Sequence, residues 1–213
     1  LQEGDVQIRG FQLRMPLDIQ FVFTANPEDY TNRGSIVTPL KDRIGSQIFT
    51  HYPKTIALAK DITKQEAKIS EENLDNIEIS NLARELLEEI SFAARESEFI
   101  DVKSGVSARL SISAMENLVA SAKLRLIESK EKSTQIRLTD FISIIPSITG
   151  KIELVYEGEQ EGADEVARLL IDRAVERQFD KIFQKLLGAD SFKDIDLVFL
   201  RVFINLIGQH FCS

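Results

Sequence analysis

One cysteine, two histidines and fewer basic than acidic residues are what this 213-residue chain has little of. Cys212 alone forms no internal disulfide, which excludes a disulfide-framed secreted scaffold. Twenty-six Lys and Arg stand against 34 Asp and Glu, a net charge of -8, so a protein built to neutralise nucleic-acid phosphates is not expected. No stretch reaches the ~18 consecutive apolar residues of a membrane span. Leu1-Gln-Glu-Gly-Asp5 has neither the basic segment nor the apolar run of a signal peptide, and the chain is expected to be cytoplasmic. What is present, 43% hydrophobic and 28% charged residues, is ordinary for a globular protein. A chain of this length buries roughly 70% of its unfolded surface and needs no disulfide to hold a core.

The first fifty residues differ in pattern from the rest. Val6 and Ile8 alternate with Gln7 and Arg9, and beyond Gly10 the residues Phe11, Leu13 and Met15 alternate with Gln12 and Arg14. That period of two predicts a hairpin. Leu17 to Ala25 (LDIQFVFTA) is a dense apolar run between Pro16 and Asn26-Pro27, and predicts a strand buried on both faces of a parallel sheet. Pro39 to Ile44 suits one or two helical turns, and Gln47 to Thr50 a further short strand.

After Pro53 the period becomes helical. One helix is expected from Ile56 through Gln65 towards Ile69. A second is capped by Ser80, with Leu82, Leu86, Leu87, Ile90 and Ala94 on one face. A third carries Met115, Leu118, Val119, Ala122 and Leu126, and starts either at the capping box Ser113-Ala-Met-Glu116 or earlier, near Ser107. A short helix near 140–145 is expected to stop at Pro146 and Gly150. Helices follow near 163–187 and 195–207.

Three polar side chains stand out. Asn26 follows the apolar run, at the carboxyl end where open parallel sheets bind ligands, although alone it also reads as a turn former. Arg43 carries a fixed charge suited to clamping phosphate, and Arg109 lies near a helix start. Each of the two arginines, taken alone, also reads as a solvated surface residue.

The order of the three carries a resemblance. Leu1-Gln-Glu-Gly-Asp-Val-Gln-Ile-Arg-Gly10, Phe23-Thr-Ala-Asn-Pro-Glu-Asp-Tyr-Thr-Asn-Arg-Gly34, Thr38-Pro-Leu-Lys-Asp-Arg-Ile-Gly45 and Thr50-His-Tyr-Pro53 resemble AAA+ ATPases of the magnesium-chelatase ATPase-subunit type and their MoxR-like relatives. Gly105-Val-Ser-Ala-Arg109 and the segment Gly150 to Gly162 extend the similarity over almost the whole chain. The fold so implied is an α/β fragment, the rear of an AAA+ phosphate-loop core, over 1–52. An all-α lid over 53–132 and a helical extension over 133–213 follow it.

By this resemblance Asn26 corresponds to sensor 1, which orients the attacking water. Arg43 corresponds to the arginine finger given to the neighbouring subunit's ATP, with Arg33 as a second candidate, and Arg109 to sensor 2 in the lid. The implied cofactors are ATP and Mg²⁺, and the implied assembly is a ring homo-oligomer, a hexamer, acting on a client that inserts or carries a metal. The sequence departs from the family in one respect: neither a G-x-x-x-x-G-K-[ST] loop nor an acidic strand end for Mg²⁺ is present. In the family's order both precede the position of Leu1. The chain is therefore expected to be the C-terminal portion of a longer ATPase, inactive by itself, with an uncovered sheet around Phe21 to Phe23. The alternative is a non-catalytic helical interaction module of AAA+ ancestry.

The remaining chemistry is sparse. His51 and His210 lack the spacing of a zinc site, and Glu153, Glu157, Glu159, Glu161, Asp164 and Glu165 lack that of a calcium loop. These acids suit a helix N-terminus instead. Cys212 has no activating neighbour, and Ser111 and Ser113 have no His–Asp context, so the serines read as caps or helix-face hydroxyls. Asp194 to Ser213 carries Arg201 as its only strong cation, too little for a DNA-binding helix-turn-helix.

Overall fold

The computed structural model describes residues 5–14, 20–24, 42–101 and 104–187, in two units that divide between Thr50 and His51. In the first unit β1 (Asp5–Ile8) pairs antiparallel with β2 (Phe11–Arg14), with Val6 opposite Leu13 and Ile8 opposite Phe11. The connecting residues Arg9 and Gly10 have φ of 49° and 85°, the two left-handed positions that match a tight turn to the twist of a hairpin. The expected hairpin is present over Asp5 to Arg14, and Met15 lies outside the described residues.

The apolar run behaves differently. Gln20 to Thr24, its described part, is irregular and exposed, and Phe21 stacks on Phe23 with ring centroids 6.1 Å apart. A strand exists only through a neighbour's hydrogen bonds, and β1–β2 is the one ladder among the described residues of this unit. Of the helical turns expected over Pro39 to Ile44, residues 39–41 lie outside the described residues, while Asp42 and Arg43 form a turn; Gln47 to Thr50 is irregular rather than a strand.

The second unit is helical. Thr55 caps α1 (Ile56–Glu66), its Oγ1 accepting from the Leu58 N–H at 3.2 Å. Ser70 then caps α2 (Glu71–Asn76), so the expected continuation to Ile69 is broken by a new cap. Ser80 caps α3 (Asn81–Arg95) as its position in the sequence predicts, accepting from the Ala83 N–H at 3.1 Å. The next helix, α4 (Arg109–Ser129), takes the earlier of its two possible starts. A 3-10 helix (Leu138–Ile144) runs directly into α5 (Ile145–Thr149).

Pro146 opens α5 instead of ending the helix before it, because a proline in the first turn forfeits no intrahelical hydrogen bond. Gly150 ends α5, as expected. Beyond it come α6 (Tyr156–Glu161) and α7 (Ala163–Leu187). Their first turns hold Glu157, Glu159, Asp164 and Glu165, acids at the positive ends of the helices. The expected helix at 195–207 lies outside the described residues.

One core joins α3, α4, the 3-10 helix, α5 and α7. Leu87 and Ile90 from α3, Leu110, Met115 and Leu118 from α4, Phe141 and Ile144 from the 3-10 helix, and Val166 from α7 belong to a single buried cluster. Segments before and after Lys132 thus contribute to the same interior. Two short strands, β3 (Ile77–Glu78) and β4 (Thr134–Gln135), pair in parallel at its edge. Beside them Arg125 of α4 bonds Asp140 (Nη2 to Oδ2, 2.8 Å) and Thr134 Oγ1 (2.6 Å), fastening the loop that follows α4. Glu89 holds α7 to α3 through Lys181 at 2.9 Å and Arg177 at 3.5 Å.

Candidate functional site

Arg109 is exposed at the first position of the 21-residue helix α4, and Ala108 before it makes no side-chain cap. The early N–H groups of such a helix carry its positive dipole end, next to a guanidinium that is always charged. The loop leading into the helix is closely tied. Gly105 N–H donates to Asp101 O at 3.0 Å, Ser107 N–H to Lys151 O at 3.3 Å, and Arg109 N–H to Ser107 Oγ at 3.2 Å. Val106 N–H donates to the hydroxyl of Tyr52, at 3.2 Å and 54 residues away. Val106 itself is buried in the core.

Tyr52, the loop 104–108 and residues 149–153 line a cleft of about 450 Å³. The Arg95 guanidinium lies over the Tyr52 ring, 4.3 Å from its centroid, and 5.2 Å from the centroid of the Phe92 ring. Arg95 Nε is buried without a hydrogen-bond partner, and burial lowers the group's pKa while Tyr52 and Glu88 oppose that shift. Contact with an aromatic face compensates a desolvated guanidinium in part.

Beneath the start of α4 lies a polar cluster. Glu88 is 2% exposed; Thr63 Oγ1 donates to its Oε1 at 2.6 Å and Ser111 Oγ to its Oε2 at 2.8 Å. Because the Ser111 proton is directed to Glu88, Ser91 donates to Ser111 across their 2.6 Å contact. Burial raises the Glu88 pKa above its ordinary 4.5, against the opposing pull of Thr63, Ser111 and Arg95.

A raised folded pKa means that the folded chain binds this proton more tightly than the unfolded chain does. The stability it supplies is complete below pH 4.5 and is lost as pH rises through the folded value. Glu88→Gln is therefore expected to melt progressively higher than wild type as pH is raised from 4.5 towards neutrality. Paired melting curves check this, and a difference that stays constant with pH would overturn it.

The sequence-derived residues are not brought together as a set. Asn26 and Arg33 lie outside the described residues, as do His210 and Cys212. Arg43 is exposed in the Asp42–Arg43 turn of the first unit, and Arg109 belongs to the second. His51 is exposed, and among the described residues no three acidic, His or Cys side chains cluster around a common point. Ser111, read as a cap or face hydroxyl, is a buried partner of Glu88. Glu88 and Arg95 carried no motif, and Tyr52 stood only within Thr50-His-Tyr-Pro53 with no role of its own; for Glu88 the available signal was small hydroxyl residues at the helix positions that face the core. Compared with known protein families, with characterised proteins and with solved structures, the chain matches none.

Proposed function

We propose that this chain is the rear of the core, the lid and the helical extension of an AAA+ ATPase of the magnesium-chelatase and MoxR-like type. In the complete protein, ATP and Mg²⁺ bind between subunits of a homo-oligomeric ring, and hydrolysis is coupled to remodelling a partner protein. Asn26 orients water, Arg43 reaches the neighbour's ATP, and Arg109 reads the γ-phosphate. The observation that carries the reading is the placement of Arg109. The residue marked by Gly105-Val-Ser-Ala-Arg109 is exposed on the first turn of a long helix, where dipole and guanidinium both favour phosphate.

The test is Arg109→Ala in the complete ATPase. A charge-assisted hydrogen bond of ~2 kcal/mol to the γ-phosphate corresponds to a loss of more than tenfold in the preference for ATP over ADP. Nucleotide titrations measure that ratio, and an unchanged ratio overturns the role. A helical interaction module without nucleotide chemistry is the second reading, favoured by the core that the helical unit holds for itself. Absence of nucleotide binding by the complete protein would select it.

A further inference from the structure

We infer that Tyr52 is the positioning residue for Arg109, a latch that fixes the loop from Ser104 to Ala108 and so the direction in which α4 presents its first side chain. The inference rests on the reading of Arg109 as a phosphate sensor, and it names the residue that regulates it. Tyr52 lies two positions beyond the boundary between the two units, at the head of the helical unit. Its hydroxyl holds the Val106 N–H, three residues before Arg109. Its ring covers the Arg95 guanidinium in the last turn of α3. One side chain thus ties the chain entering the helical unit to the end of α3 and to the start of α4.

Gly105 supplies the independent observation. It has φ +71° and stands so close to the latch that a Cβ there would lie 2.7 Å from the Tyr52 hydroxyl oxygen. Only glycine combines that backbone conformation with room for the phenol. Val106 anchors the loop in the core on one side, the Ser107 N–H is held by Lys151 O on the other, and the Val106 N–H is the point at which Tyr52 acts. Without the hydroxyl, the loop loses the one described hydrogen bond that reaches it from the entering chain. A shift of that chain is transmitted through the hydroxyl to the loop and on to Arg109.

The experiment compares wild type, Tyr52→Phe and Gly105→Ala. Tyr52→Phe keeps the ring on Arg95 and removes only the hydroxyl. In the full 213-residue chain, amide hydrogen exchange at Val106 is expected to accelerate about tenfold in both variants, with Ala114 to Ala122 of α4 as slow as in wild type. In the complete ATPase, Tyr52→Phe is expected to raise KM for ATP about threefold while kcat stays within about twofold, since a positioning residue changes binding before chemistry. Unchanged exchange at Val106 in Tyr52→Phe overturns the latch. Faster exchange with an unaltered KM, where Arg109→Ala does raise KM, overturns the link to Arg109 alone. If Arg109→Ala leaves nucleotide binding untouched, the phosphate-sensor reading falls and takes the positioning role with it. Exchange needs no nucleotide, so the two failures are told apart.

Discussion

In the ring ATPase proposed above, rings built only from Arg43→Ala subunits should lose on the order of 10³ in kcat, the lower end of what a trans arginine contributes to phosphoryl transfer. Such a residue acts at a neighbour's site, so a mixing experiment identifies it. Arg43→Ala subunits are combined with subunits that keep Arg43 but have their own phosphate-loop lysine replaced. Each homogeneous ring is inactive. The mixture is expected to regain hydrolysis, because an intact site in one subunit then meets an intact arginine from the next. No recovery in mixed rings would overturn the assignment. Arg43→Lys should rescue only weakly, since an ammonium lacks the planar fork that grips two phosphate oxygens. In the first unit Arg43 is exposed and lies in a turn.

What the sequence made legible follows from the range of the interactions involved. Ser80 and the Leu86, Leu87, Ile90, Ala94 face of α3 were readable because capping and helical periodicity are set within a few residues. Leu82, on the same projected face, is exposed. The hairpin was readable for the same local reason. Gln20 to Thr24 was not, because a strand needs a partner that no local pattern supplies. Pro146 was misread as a stop because the same residue opens a helix when it falls in the first turn.

The candidate site divides along the same line. Arg109 was placed at a helix start by its own segment, and the structure puts it at the first residue of α4. Tyr52 reaches Val106 across 54 residues and Thr63 reaches Glu88 across 25, contacts that only the packing of α1, α3 and α4 creates. Glu88 is a charged residue between Leu87 and Glu89, and nothing in that spacing says that it is closed off by two hydroxyls while Glu89, also buried, meets Lys181 and Arg177. Its burial is a property of three helices at once.

The same long-range packing sets the largest expected loss of stability. Phe141 is 2% exposed, among the largest fully buried side chains, and sits in the 3-10 helix against α4. Truncation to alanine removes the transfer energy of the ring and leaves a cavity that close-packed neighbours fill only in part, a cost of about 3–5 kcal/mol. For a unit of this size that lowers the melting midpoint by roughly 10 °C. Phe11→Ala, at an 80% exposed position of β2, is expected to change stability by less than about 0.5 kcal/mol. Calorimetry of the two variants also tests how far the helical core extends. Phe141 lies after Lys132, yet it shares a buried cluster with Leu87, Leu110 and Leu118, which precede it. If that cluster folds as one body, its single transition moves as a whole in Phe141→Ala. Two helical transitions, only one of them shifted, would instead show that the segments on either side of Lys132 unfold independently.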